Sequence, residues 1–411
     1  MRAIYETEEV KERVILFAVS EREGDDTEHS LTELAELART AGAEIAGTLV
    51  QNLDRANPGT YLGSGKIEEL KDLIWETDAT GVICDDELKP IQMRNLEEAL
   101  AVKVMDRTLL ILDIFAGRAA TSEGKLQVEL AQLRYRMTRL TGFGSSMSRL
   151  GGGIGTRGPG EKKLESDRRV IRERVSHLKR ELKEVVRHRD LTREQRMKNH
   201  TKVAAIVGYT NAGKSTLLNT LTDAGVLEED QLFATLDPTT RVLELSNRQQ
   251  VLLTDTVGFI RKLPHHLVDA FRSTLEEAKY ADLIIHVVDA ANPYWDEQMH
   301  VVYQTLRELG VTDKKVITLF NKCDRLTGSE VFQDFRADRT LRISAKTGEG
   351  LEEFKQVLEE MLREDKVFFR HTFPYDRAGE IQRIRKYGEL LQEEYREDGI
   401  YVEAYVPENL L

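Results

Sequence analysis

Eight consecutive residues, Gly208-Tyr209-Thr210-Asn211-Ala212-Gly213-Lys214-Ser215, restrict this chain more than any other stretch. They fit G-x-x-x-x-G-K-[ST], a phosphate-binding loop that works only between a strand and a helix. The context is right. Lys202-Val203-Ala204-Ala205-Ile206-Val207 reads as a strand, and Ser215, Thr216 and onward to Leu221 as a helix with apolar Leu217, Leu218 and Leu221. The glycines let backbone N–H groups turn inward around phosphate oxygens. The helix N-terminus adds a partial positive charge. Lys214 is expected on the β- and γ-phosphates and the Ser215 hydroxyl on Mg²⁺.

Three further segments select GTP. Leu253-Thr254-Asp255-Thr256-Val257-Gly258 is a strand ending in D-x-x-G. Asp255 is placed to hold Mg²⁺ through water, and the Gly258 N–H to sense the γ-phosphate. Ile317-Thr318-Leu319-Phe320 then delivers Asn321-Lys322-Cys323-Asp324, about 110 residues beyond the loop. In N-K-x-D the carboxylate accepts from the ring N–H and amine of guanine, a pattern adenine reverses. Ser344-Ala345-Lys346 follows another strand and is expected to put the Ala345 N–H on the guanine oxygen. Between these lies Phe233-Ala234-Thr235-Leu236-Asp237-Pro238-Thr239-Thr240. Thr235 is the expected second magnesium ligand, while Thr239 and Thr240 begin a strand with Val242. This loop and the one after Gly258 would be switches ordered by the γ-phosphate. Lys214, Thr235 and Gly258 are therefore the expected catalytic set. Phe259 stands where many GTPases carry a water-orienting glutamine, so hydrolysis should be slow without help.

The 411 residues suffice for several domains. No run approaches 18 apolar residues, no export signal is visible, and the only cysteines are Cys84 and Cys323. A reducing, cytoplasmic protein without a membrane span or metal cluster is expected. The net charge of −12 is unevenly spread: Thr121–His200 holds 20 Lys and Arg against 10 Asp and Glu. Such a basic segment in an acidic chain fits a polyanion, most simply nucleic acid, or else helical faces of mixed charge.

Residues 1–120 alternate strand and helix signals, predicting an N-terminal parallel-sheet α/β domain. Ser30 with Glu33 reads as a capping box before a helix ending near Ala41-Gly42. Gly63-Ser64-Gly65-Lys66 resembles a second phosphate loop, but its spacing is wrong and Ile67 replaces the Ser/Thr; a tight strand-to-helix turn explains it equally.

In residues 121–200, Leu126, Leu130, Leu133, Met137 and Leu140 step by 4, 3, 4, 3, as do Ile171, Val175, Leu178, Leu182 and Val185. Two heptad seams joined by the Gly-rich loop 141–160 predict an antiparallel two-helix coiled-coil hairpin. A connector this long is functional or disordered. Arg149 and Arg157 could meet phosphates, Phe143 and Met147 bases or protein. Residues 201–364 read as a Ras-like P-loop domain. Residues 365–411 read as a small α+β tail: a strand Val367–Phe373, a helix Arg377–Leu391 with basic Arg383, Arg385 and Lys386 on a solvated face, and a strand Ile400–Val406.

These motifs resemble those of the HflX family of translation-factor-class GTPases. Besides the nucleotide motifs, the resemblance rests on Thr156-Arg157-Gly158-Pro159-Gly160-Glu161 between the heptad helices and on Tyr61-Leu62-Gly63-Ser64-Gly65-Lys66. It implies a GTPase that binds the large ribosomal subunit, rRNA and ribosomal proteins included, in a GTP-dependent way. It implies a hairpin loop reaching toward the peptidyl-transferase centre, and roles in splitting or rescuing stalled ribosomes. It also implies ATP use through the N-terminal domain, although no adenine-selective residue is evident. A monomer that does not bind DNA is expected. The alternative is a GTP-regulated module docking on a protein or membrane.

Overall fold

The computed structural model describes residues 11–21, 26–140, 159–198, 202–222, 232–233, 235–245, 249–263, 277–326, 328, 331–363 and 366–407. Residues 141–158, with Phe143, Met147, Arg149 and Arg157, lie outside them, as do Ala234, Asn199 and His200. The chain forms two compact units. One comprises Met1–Glu184 with Gln231–Phe233 and Arg261–Phe271; the other comprises Val185–Asp230, Ala234–Ile260 and Arg272–Leu411.

The first unit contains β1 (Arg13–Ser20), α1 (Thr27–Thr40), β2 (Glu44–Asn52), α2 (Ser64–Thr77), β3 (Gly81–Cys84), α3 (Pro90–Leu100), β4 (Lys103–Asp106), α4 (Arg107–Arg118) and α5 (Ser122–Leu140). Its sheet is all-parallel in the order β2-β1-β3-β4. The apolar run Val14–Val19 is buried throughout, as a strand covered on both faces requires. Asp106 caps α4 by accepting from the Leu109 N–H at 2.9 Å.

The expected capping box is not one. α1 begins at Thr27, so Ser30 lies inside it and is buried. The Ser30 hydroxyl donates to Asp85 at 2.7 Å, and Glu33 accepts from Arg107 at 2.5 Å. A fully buried guanidinium draws these groups inward, because burying it unpaired would cost several kcal/mol, roughly. Gly63 is the N-cap residue of α2, eleven residues after the end of β2, so the expected tight strand-to-helix turn is a longer connection. The Gly63 N–H donates to Gln51 at 2.9 Å, and Lys66 pairs with Glu69 at 2.7 Å one turn along α2.

The heptad seams meet as expected. α6 (Pro159–Lys198) returns against α5, and Leu126, Leu130 and Leu133 pack with Ile171, Val175, Leu178 and Leu182. Arg174 grips Glu129 across the pair at 2.7 and 2.8 Å. α6 starts inside the predicted loop, at Pro159, since a proline fits the first helical turn where its missing N–H costs nothing.

The second unit holds a six-stranded sheet, β10-β9-β8-β5-β7-β6, with only β6 antiparallel to its neighbour. Its strands are β5 (Lys202–Gly208), β6 (Thr239–Glu244), β7 (Gln250–Asp255), β8 (Leu283–Asp289), β9 (Lys315–Asn321) and β10 (Arg339–Arg342). The helices are α7 (Lys214–Thr222), α8 (Trp295–Glu308) and α9 (Leu351–Arg363). α9 buries Leu351, Phe354, Leu358, Met361 and Leu362, a helical stripe packed into the core beside β5, β8 and β9. The functional loops leave the C-terminal ends of these central strands, where doubly wound sheets hold ligands.

The C-terminal part is a three-stranded antiparallel sheet, β11-β13-β12, with one helix. It consists of β11 (Lys366–Phe373), α10 (Ala378–Tyr387), β12 (Glu389–Arg396) and β13 (Gly399–Pro407). The predicted helix to Leu391 stops at Tyr387. The residues beyond it pair with β13 as a strand, and tertiary pairing overrides their helix propensity. Arg385 is not merely solvated: it grips Glu393 on that strand at 2.7 Å.

His286 on β8 is fully buried with no hydrogen bond to Nδ1. Burial, reinforced by the Lys214 charge and opposed by Asp334, lowers its pKa to about 4. The unfolded chain therefore binds this proton first, and stability present above the free-histidine value is lost as pH falls toward 4. Between pH 7.5 and 5 His286 should cost about 2 kcal/mol. Urea midpoints at both pH values should fall further in the wild type than in His286→Gln; parallel losses would refute this.

Candidate nucleotide-binding site

β5 ends at Gly208 and the chain turns through Tyr209–Gly213 into α7, whose first residues are Lys214, Ser215 and Thr216. Lys214 is buried, its Nζ donating to the Tyr209 carbonyl at 2.8 Å. Burial and the neighbouring Lys322 lower its pKa to about 8, while Asp255 opposes them. This ammonium is short of negative partners, which phosphate oxygens would supply.

β7 brings Asp255 to the same place. Its Oδ2 accepts from the Ser215 hydroxyl at 2.9 Å, and that hydroxyl lies 2.7 Å from the Thr235 hydroxyl. The carboxyl is fully buried and Oδ1 has no hydrogen-bond partner. Burial raises its pKa despite the Lys214 charge and the nearby hydroxyls. Two hydroxyls and an under-compensated carboxylate form an all-oxygen donor set, which suits a hard divalent cation such as Mg²⁺. Thr235, the threonine the sequence singles out, contributes one of these hydroxyls. Thr239 and Thr240 open β6, where Thr240 bonds Thr254 at 3.0 Å.

Thr256 is buried and tied to the Ile206 carbonyl at 2.8 Å; Val257 is buried beside it. Gly258 lies so near the loop that a Cβ there would come within 2.8 Å of Thr210 Cγ2 and 3.0 Å of Lys214 Nζ. Phe259 is buried, its N–H donating to Gly208 and its carbonyl accepting from Thr210 at 2.8 Å. The Thr210 hydroxyl is another buried group without a partner. Phe233 and Leu236 are buried, and Asp237 is half-buried.

β9 delivers Asn321, and its role was only partly legible. Its Nδ2 donates to the Ala212 carbonyl and its Oδ1 accepts from the Ala345 N–H, both at 2.8 Å. The Ala345 N–H, expected on the guanine oxygen, donates here to this amide, whose two buried ends are thereby both satisfied. Gly213 follows from the same bridge. Its φ is +93°, and a Cβ would stand 2.3 Å from Asn321 Nδ2. Lys322 pairs with Asp289 at 2.8 Å. Cys323 is partly buried, its thiol on the Phe320 carbonyl. The Asp324 carboxylate is exposed and oriented by the Ser344 hydroxyl at 2.7 Å, which holds its pKa below the usual value. Ser344 and Ala345 are buried and Lys346 exposed.

A phosphate loop on the central strand, a carboxylate beside its serine, and an N-K-x-D carboxylate on the next loop define a P-loop GTPase. Family models agree along the chain: "GTP-binding GTPase N-terminal" matches residues 28–116, "GTP-binding GTPase Middle Region" 118–196, and "50S ribosome-binding GTPase" 203–322. The chain is 64% identical to the GTPase HflX of Lacrimispora saccharolytica, covering all of this chain and 97% of that protein. It is 42% identical to GTPase HflX of Escherichia coli K12, over 85% of this chain and 83% of that protein. A GTP-binding protein from Sulfolobus solfataricus, solved with GDP, matches 85% of this chain and 98% of its own at 25% identity and a TM-score of 0.45. The chain belongs to the HflX family of GTPases: it binds GTP and GDP and hydrolyses GTP. Among the described residues no helix is long and apolar enough to cross a membrane.

Asn321→Ala should leave the Ala212 carbonyl and Ala345 N–H buried and unpaired, at about 1–3 kcal/mol each. Nucleotide affinity should fall together with the denaturation midpoint of the nucleotide-free chain. A variant with both unchanged would show that the bridge is dispensable.

Proposed function

We propose that this GTPase binds the large ribosomal subunit in its GTP state and works in ribosome splitting, rescue of stalled ribosomes or ribosome biogenesis. The observation that carries this reading is the basic hairpin, followed along the chain by a domain whose family model is described as 50S ribosome-binding. Along α6 the side chains of Arg169, Arg172, Lys179, Arg180, Lys183 and Arg187 are exposed. Neutralising rRNA phosphates would supply affinity, while the acidic remainder limits nonspecific binding. The protein acts as a cytoplasmic monomer on this reading.

Within the site, Lys214 meets the β- and γ-phosphates, while Thr235 and the Gly258 N–H sense the γ-phosphate. Mg²⁺ held by Ser215 and Thr235, with Asp255 behind them, would bridge phosphate oxygens and neutralise their charge. Asp324 accepts from the guanine ring N–H and amine. Intrinsic hydrolysis is slow, because Phe259 cannot orient water and a partner must help.

Asp324→Asn should weaken GTP by at least roughly 100-fold and favour xanthosine triphosphate. Competition binding with the two nucleotides tests this, and unchanged GTP affinity would sink the assignment. The partner is tested by co-sedimentation with purified large subunits. A non-hydrolysable GTP analogue is compared with GDP, on the intact chain and on one with Thr141–Gly160 replaced by a short linker. Analogue-dependent, loop-dependent binding that weakens steeply with salt is expected. Binding indifferent to nucleotide, loop and salt would favour docking on a protein or membrane instead.

A further inference from the structure

Two short pieces flanking the nucleotide site pack as parts of the first unit: Leu232–Phe233 and Arg261–Leu263. Along the chain, Phe233 precedes Thr235 by two residues and Lys262 follows Gly258 by four. Both pieces carry left-handed backbone at a residue other than glycine, with φ +57° at Phe233 and +53° at Lys262. Such strain persists only where the surroundings over-determine it.

The surroundings are side chains of the N-terminal domain. The buried Phe233 ring meets Phe115 of α4 edge-on, with centroids 4.6 Å apart. Lys262 Nζ donates to Asp85 Oδ2 at 2.5 Å and to Asp86 Oδ1 at 2.7 Å, just beyond β3. Arg261 pairs with Asp26 and lies 3.0 Å from His29 Nδ1. The receptor for Lys262 is pre-organised: Arg107 and Ser30 hold Asp85, and the Tyr61 hydroxyl donates to Asp86 at 2.5 Å. These anchors coexist with a Thr235 hydroxyl 2.7 Å from that of Ser215, the two hydroxyls expected to share the magnesium of a bound triphosphate.

We propose that Lys262 is a positioning residue. Through its Asp85–Asp86 receptor, and with Phe233 seated on Phe115, the N-terminal domain biases both flanking segments toward the triphosphate arrangement. By linkage, the nucleotide state must then alter how firmly that domain holds them. The inference rests on the nucleotide-site reading above.

Its test uses the full chain and fluorescent GDP and non-hydrolysable GTP analogues, with affinities measured for the wild type, Lys262→Met, Asp86→Asn and the double reversal Lys262→Asp with Asp86→Lys. The Lys262 and Asp86 side chains are 41% and 39% exposed, so these changes empty no core. GDP affinity should stay within about twofold throughout, and analogue affinity should fall roughly fivefold or more in the single variants. The double reversal should recover part of that loss, because the lysine introduced at position 86 then faces the aspartate introduced at position 262 while Asp85 keeps Arg107 as its partner; a merely structural lysine would lower GDP and analogue affinity together. An unchanged ratio of analogue to GDP affinity in the single variants, or a reversal no better than either, overturns the proposal. A wild-type chain that bound neither nucleotide would fail earlier, at the site itself.

Discussion

The nucleotide site depends on one side-chain amide. Asn321 ties the phosphate loop, through the Ala212 carbonyl, to the loop carrying Ser344 and Ala345, through the Ala345 N–H. Neither loop has a ladder of its own at that point, and both bonds are buried, where an unmade bond costs most. The rest follows from this tie. It forbids a side chain at Gly213, and it delivers Asp324 on a fixed turn whose carboxylate Ser344 then aims. The two loops expected to meet phosphate and base are thus tied to one rigid element rather than held independently.

The N-terminal domain solves a different problem with similar means. Arg107, at the first position of α4, lies fully buried among Glu33, Asp85 and the Ser30 carbonyl. Burial opposes the charge on Asp85, but Arg107 and Lys262 outweigh it and hold the carboxyl below its usual value. A buried guanidinium with several partners is costly to disturb and fixes the geometry of what surrounds it. Asp106 is handled the same way. It is wrapped by Tyr135 and Arg139 of α5 and by the N–H groups of Leu88 and Leu109. The first hairpin helix is thereby bonded to the end of the sheet and not attached by apolar contact alone.

What the sequence made legible was local. The phosphate loop, D-x-x-G and N-K-x-D each compress a backbone conformation and a chemical role into a few adjacent residues. The heptad seams likewise announce their own partner. What stayed hidden was long-range. Ser30 and Glu33 have capping-box spacing, yet a guanidinium more than 70 residues away claims both. Glu389–Arg396 has the composition of a helix and becomes a strand because β13 lies beside it. Nothing near Lys262 names Asp85, 177 residues distant. Thr235 lay between these cases: chosen among three threonines by position in the loop, it stands beside Ser215 because β6 consumes the other two.

Phe259 shows why reading a missing residue differs from reading a present one. The sequence says only that no glutamine follows Gly258. In the structure the Phe259 N–H and carbonyl are both spent on the phosphate loop, at Gly208 and Thr210, and the ring is buried. The backbone is committed here, so this position stitches the D-x-x-G segment to the loop whatever side chain it carries. A glutamine placed here would bury an amide that, left without a partner, would cost roughly 1–3 kcal/mol. The backbone of this position is given to holding Gly258 against Thr210 and Lys214, a task that does not depend on the chemistry of its side chain.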